Sequence, residues 1–210
     1  MAPPPKRPRT AAAPPPGRGA HLRMVLGPMF SGKTTEAMRL VGRARLAGAR
    51  CAVVKYSGDT RYGEAPALQT HGGLALAEAE GLAVHTVSAL TSLPSFGAET
   101  SLVVVDEGQF FPDLSQAVDQ WLREGRSVVV AALDGDFLRR PFASVAQTLP
   151  LANVIVKLSA VCQRCPRGPG LQPADAPHSL RTDASQALEL IGASDKYQAV
   201  CLECFLAAAA

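Results

Sequence analysis

The run Gly27-Pro28-Met29-Phe30-Ser31-Gly32-Lys33-Thr34 fits G-x-x-x-x-G-K-[ST], and it constrains the fold more than any other feature of the chain. It also has the setting that the pattern requires. The apolar run Met24–Leu26 precedes it, and a helical pattern over Thr34–Ala47 follows. In such a strand–loop–helix unit the glycines let backbone N–H groups curl around phosphate oxygens, and the helix N-terminus adds partial positive charge. Lys33 is then placed to reach the terminal phosphates of a nucleotide, and the Thr34 hydroxyl to ligate Mg²⁺. A glycine-rich turn that matches by chance explains neither the strand before it nor the helix after it.

The surrounding pattern agrees with that unit. Met24–Leu26, Ala52–Tyr56, Leu102–Val105 and Ser127–Leu133 are short apolar runs of the kind that form strands covered on both faces. Helical segments lie between them, notably Thr34–Ala47 and Leu114–Glu124, the latter stopped by Gly125. Alternation of this kind predicts an α/β fold, P-loop NTPase-like, with a mostly parallel sheet flanked by helices. We place this domain at 21–158. A small cysteine-bearing lobe follows at 159–205, and 206–210 reads as a terminal tail. Residues 1–20 are rich in Pro, Ala and Arg and bury too little apolar surface to offset their ordering entropy, so they read as a disordered tail.

Composition narrows the partners. Hydrophobic residues are 47% of the 210 and charged residues 19%, which supplies a real core and excludes a wholly disordered or coiled-coil chain. The net charge is +3, but Lys6, Arg7, Arg9 and Arg18 all lie in the tail. The body is nearly neutral and gives no argument for nucleic acid. No apolar run approaches the roughly 18 residues that a membrane span needs, and no apolar segment follows the N-terminal basic residues as in a secretory signal. A cytoplasmic location is expected; the KRPR cluster at Lys6–Arg9 fits nuclear entry, although such clusters arise often by chance.

Two further constellations carry chemistry. An apolar strand ending in Asp106-Glu107 delivers two carboxylates to the C-terminal edge of the sheet, where ligands sit in folds of this class. Asp106 suits Mg²⁺ and Glu107 suits a general base; alone, the pair could be a solvated strand end. Cys162-x-x-Cys165 and Cys201-x-x-Cys204 form two knuckles whose four thiolates suit one tetrahedral zinc. A closed Cys₄ set leaves no open coordination position, so the zinc is expected to be structural. Redox disulfides are the alternative. The fifth cysteine, Cys51, sits in a strand pattern and reads as a small buried hydrophobe.

Read together, GPMFSGKT, KYSGDTRY (Lys55–Tyr62), DEGQFFPD (Asp106–Asp113), AALDGDF (Ala131–Phe137), RRPF (Arg139–Phe142) and IGASDKYQAVCLECF (ending at Phe205) occur in this order. This series resembles the thymidine kinases of the cellular, vaccinia-like type over about residues 24–205. The resemblance implies transfer of the γ-phosphoryl group of ATP to the 5′-hydroxyl of thymidine, and of deoxyuridine, in a homotetramer, with dTTP as feedback inhibitor. It implies Glu107 as the base, and Gly27 to Thr34, Asp59, Arg61, Asp106 and Gln109 around the phosphates and metal. It implies a nucleoside pocket lined by Met29, Phe110, Leu133, Phe137 and Phe142. It further implies that a lasso-like loop of Leu188, Glu189, Leu190, Ile191 and Gly192, with Tyr197, closes over the base and that Arg181 anchors that loop. Core packing is the competing role for Phe111 and Phe142.

The chain departs from the family in two places. Pro166–His178 is longer and richer in Pro and Gly, and Ala193 stands where a second glycine is usual. Two other classes are consistent with parts of the sequence. A different P-loop kinase, for nucleotides or deoxycytidine, is disfavoured by the Cys₄ lobe and the DEGQFF run. A non-catalytic zinc protein that binds nucleic acid is disfavoured by the scarcity of Lys and Arg around the knuckles.

Overall fold

The computed structural model describes residues 19–58, 67–69, 73–166, 172, 174–182 and 196–209. The continuous apolar runs become the centre of a six-stranded sheet. Its strands are β1 (Leu22–Leu26), β2 (Arg50–Tyr56), β5 (Leu82–Val87), β6 (Thr100–Val105), β7 (Ser127–Ala132) and β8 (Val154–Lys157). Their order is β5-β2-β6-β7-β1-β8 and every pairing is parallel. Between β2 and β5 lies a short antiparallel hairpin, β3 (Ala67–Gln69) and β4 (Ala75–Ala77).

Alternation along each strand divides the core into two layers. Met24, Val103 and Val130 face one side with Phe111, Leu114, Val118 and Trp121. Val25, Val53, Val104 and Val129 face the other with Ala37 and Val41. The second layer is capped by α1 (Lys33–Leu46) and the first by α2 (Leu114–Arg123) and α3 (Ala143–Thr148). Gly125, just past α2, takes φ 84°, the left-handed conformation that ends a helix most cheaply with glycine. Cys51 is buried in the α1 layer, as a small hydrophobe.

Parallel order puts the C-terminal ends of β1, β2, β6 and β7 at one edge, and the functional loops leave from there. At the other edge Arg126 fixes the entry to β6. Its guanidinium is almost buried and donates to the carbonyls of Phe96 (3.0 Å), Gly97 (3.1 Å) and Thr100.

After Lys157 the chain leaves the sheet. β9 (Ala160–Val161) pairs antiparallel with β10 (Asp175–Ala176), and β11 (His178–Arg181) with β12 (Tyr197–Val200). The buried cluster of this lobe is made largely of small residues, including Ala160, Ala176 and Ala199, around Leu180, Val200 and Phe205. Among the described residues so thin a core supplies little stability by itself. The final helix, α4 (Leu202–Ala209), corrects one expectation: most of the stretch read as a terminal tail is helical.

Candidate active site

The phosphate-type loop leaves β1 in a conformation that its residues dictate. Gly27 has φ 153°, and a Cβ there would lie 2.6 Å from the Leu158 carbonyl oxygen, so only glycine fits between β1 and the end of β8. Gly32, at φ 84°, caps α1. Ser31 Oγ and Lys33 Nζ both donate to the Pro28 carbonyl, at 2.9 and 2.7 Å, which closes the loop on itself. Thr34, in the first turn of α1, donates from its hydroxyl to the Asp106 carboxylate, 3.3 Å from Oδ1 and 3.4 Å from Oδ2. Thus β1 and β6, separated in the sheet by β7, bring together the hydroxyl and the carboxylate singled out for Mg²⁺.

Asp106 is itself fixed by the sheet, because its backbone N–H donates to Val54 at 2.9 Å. Glu107 follows in the left-handed region, at φ 52°. Gly108 must then pack flat on β7, since a Cβ would meet Val130 Cγ1 at 2.8 Å. The backbone therefore turns sharply at Glu107. The side-chain amide of Gln109 donates to Glu107 Oε2 at 2.5 Å, and its oxygen accepts the Leu133 N–H at 2.9 Å. Gln109, expected on the phosphate side, is buried and bridges the Glu107 carboxylate and the end of β7.

The aromatic residues separate into two groups. Phe110 stacks on Tyr56 with centroids 5.2 Å apart, whereas Phe111 meets Tyr56 edge-on at 5.4 Å and is fully buried in the core. Phe142 packs against the same core cluster, and Leu133 is half-buried at the end of β7. Phe137 lies under the Arg181 guanidinium, 3.9 Å from the ring centroid. Arg181 also sits 5.1 Å from the Tyr197 ring centroid and donates to the Tyr197 hydroxyl. The loop that carries Phe137 is shaped by Asp136, whose Oδ1 accepts the N–H groups of Leu138 and Arg140 at 2.8 Å each. Asp59, Arg61, Leu188, Glu189, Leu190, Ile191 and Gly192 lie outside the described residues.

Cys162, Cys165, Cys201 and Cys204 converge, with all four sulfurs within 4.8 Å of one another. Cys165 Sγ is 3.7 Å from that of Cys201 and 3.8 Å from that of Cys204. Four thiolates about 2.3 Å from a tetrahedral zinc would be about 3.8 Å apart, so the set fits that ion, and these spacings are too long for a disulfide. Burial pushes the Cys162 thiol up, but the N–H groups of Cys201, Arg164 and Cys165 outweigh it and lower the thiol to about 6. Its sulfur neighbours push Cys165 up to about 12. One thiolate thus resists the next, a conflict that a shared cation resolves.

The family comparison covers both lobes. The profile described as thymidine kinase matches residues 20–205. The chain is 39% identical over 188 residues to the thymidine kinase of Monkeypox virus, covering 90% of this chain and 98% of that protein. Identity and coverage are the same for the thymidine kinase of Vaccinia virus (strain Western Reserve), and the Raccoon poxvirus protein is 37% identical. The chain belongs to the thymidine kinase family. Because the match starts just before β1 and ends inside α4, the cysteine lobe is part of the family unit and not an appendage.

One element of the site had no signal in the sequence. Ser179, on β11, accepts the backbone N–H of Met29 at 2.9 Å and so joins the cysteine lobe to the phosphate-type loop. No motif marks Ser179, because the contact depends on how two segments 150 positions apart are folded together. Tyr56 was likewise read as the end of a strand and as part of the KYSGDTRY motif, with no partner assigned. Its stacking on Phe110 follows from the pairing of β2 with β6.

Proposed function

We propose that the chain transfers the γ-phosphoryl group of ATP to the 5′-hydroxyl of thymidine, giving dTMP and ADP, and to that of deoxyuridine, giving dUMP and ADP, in the salvage of DNA precursors. The observation that carries this reading is the convergence at one sheet edge of the Gly27–Thr34 loop, the Thr34–Asp106 pair and the braced Glu107 carboxylate. In this reading the N–H groups of the loop and Lys33 hold the phosphates, with Asp59 and Arg61 beside them. Thr34 and Asp106 would hold Mg²⁺, which supplies charge neutralisation on the β- and γ-phosphates. Glu107 accepts the proton of the 5′-hydroxyl as the new O–P bond forms. The bond from the γ-phosphorus to the bridging oxygen breaks, and ADP leaves with that electron pair.

The nucleoside end is read in the same way. Phe110, Leu133, Phe137 and Phe142 form an apolar wall, with Met29 and Leu133 beside the thymine methyl. Leu188 to Gly192, Tyr197 and Arg181 form and anchor the loop over the base. Thymine offers an N3–H donor between two acceptors, and cytosine reverses part of that pattern. Fixed backbone groups that fit thymine are left unpaired against cytosine, at a cost of roughly 1–3 kcal/mol each. The four cysteines would hold a structural zinc. We further propose a homotetramer, inhibition by dTTP, a cytoplasmic location and no nucleic-acid partner. Among the described residues no helix is long and apolar enough to cross a membrane.

A panel of the deoxynucleosides with ATP and Mg²⁺ tests the assignment. Thymidine and deoxyuridine should be phosphorylated and deoxycytidine should not. Equal turnover of thymidine and deoxycytidine would overturn the substrate reading.

A further inference from the structure

The first half of the phosphate-type loop is held from outside its own domain. Met29 donates its backbone N–H to Ser179 Oγ at 2.9 Å, and Ser179, on β11, is only 6% exposed. The next residue, Phe30, packs against the apolar cluster of the cysteine lobe. Its backbone takes φ 63°, which a bulky side chain keeps only where its surroundings over-determine it. Two consecutive loop residues are therefore fixed by a different lobe through two different interactions, a hydrogen bond and a partly buried ring packed on the lobe's apolar cluster. The second half, Ser31 to Thr34, carries the N–H groups that a phosphate needs, and it is held by the bonds of Ser31 and Lys33 to Pro28. Pro28 immediately precedes the tethered pair.

We infer that Ser179 is a positioning residue for the phosphate-binding loop: its hydroxyl, together with the seat for Phe30, presets the loop before ATP arrives. Without the tether, part of the binding free energy of ATP would go into ordering residues 28–30. The condition of the cysteine lobe is thereby expressed as affinity for ATP. This inference rests on the reading of Gly27 to Thr34 as the ATP site.

The test compares Ser179→Ala, which leaves the Met29 N–H without its acceptor, with Ser179→Thr, which keeps a hydroxyl. Binding of a non-hydrolysable ATP analogue with Mg²⁺ is measured calorimetrically without nucleoside, and KM for ATP and kcat are measured with it. Ser179→Ala should weaken analogue binding and raise KM for ATP by about 2- to 12-fold, the range spanned by one neutral hydrogen bond. Saturating ATP should restore kcat to within about twofold, and Ser179→Thr should bind within about twofold of the parent, as the same bond is retained. Phe30→Ala should shift ATP affinity in the same direction, and it decides the matter if Ser179→Ala does not fold. Lys33→Met is the reference for the site itself. Loss of binding in Lys33→Met with unchanged affinity in Ser179→Ala and Phe30→Ala overturns this inference alone. Normal binding in Lys33→Met overturns the ATP-site reading, and the inference falls with it.

Discussion

Gln109 holds Glu107 by a 2.5 Å hydrogen bond from its side-chain amide, while its amide oxygen takes the N–H of Leu133. The carboxylate proposed as the base is thus aimed from β7, the strand beside its own. Gln109→Leu should leave KM for ATP within about twofold and lower kcat by roughly tenfold, the cost of one charge-assisted hydrogen bond. In a Glu107→Gln background the same change should add little, because the two residues act as one unit. Full additivity of the two substitutions would show that the brace serves only the fold.

Glu107→Gln keeps the size of the side chain but cannot accept a proton. General base catalysis contributes about 10²- to 10⁴-fold, so kcat should fall by that order while ATP binding persists. Asp106→Asn should differ in kind. It weakens the carboxylate that faces the Thr34 hydroxyl, so the Mg²⁺ concentration for half-maximal rate should also rise. Titration of activity against Mg²⁺ separates the two. Near-full kcat in Glu107→Gln would make Glu107 a structural carboxylate.

Much of this architecture was legible because its signals are local. The Gly27–Thr34 pattern fixes a strand, a turn and a helix at once, and the central strands are apolar on both faces. The edge strands carry no such signal. In β5 buried Leu82 and Val84 alternate with exposed Ala83, followed by His85 and Thr86, and in β8 Ile155 is 51% exposed. The hairpin β3–β4 has only three residues per strand. At the site, residue types announced Asp106, Glu107 and the cysteines. The bonds of Gln109 to Leu133 and of Ser179 to Met29 could not be read, because only the tertiary fold brings those partners near.

The cysteine lobe should depend on metal. Among the described residues its core is thin and four thiols lie close together, so one equivalent of zinc should co-purify. Cys162→Ser should release it and loosen β11 and β12, which adjoin the knuckles. Metal analysis and proteolysis between residues 159 and 205 check both points. Active protein without zinc would refute the structural-metal reading.

Arg126 should matter for stability and not for chemistry. It lies at the edge opposite the site and satisfies three backbone carbonyls from a nearly buried position. Arg126→Ala takes the guanidinium donors away from those carbonyls, of which that of Gly97 keeps another, the Thr100 N–H at 3.0 Å, and removes the guanidinium from beside the Phe96 ring, 5.7 Å from its centroid. The expected loss is about 2–3 kcal/mol, which at roughly 2–4 °C per kcal/mol lowers Tm by about 4–12 °C. At a temperature well below Tm, kcat and both KM values should match those of the parent. A changed KM with unchanged Tm would contradict the assignment.

Asp113 supplies a pH dependence whose sign can be worked out. Burial pushes its carboxyl up, but the backbone N–H and hydroxyl of Thr91, both 2.8 Å from Oδ2, outweigh that and hold it below its ordinary value. A carboxyl depressed in the folded state binds its proton more readily when unfolded. Its stabilising contribution is therefore complete above the ordinary Asp range, near pH 4, and is lost as pH falls through the folded-state value. Asp113→Asn should be less stable than the parent at pH 7 in urea denaturation. The gap should stay constant down to about pH 5, narrow below about pH 4 and close at lower pH. A gap that is the same at pH 7 and at pH 2.5 would mean that the carboxylate charge contributes nothing and that Asp113 acts only through its shape.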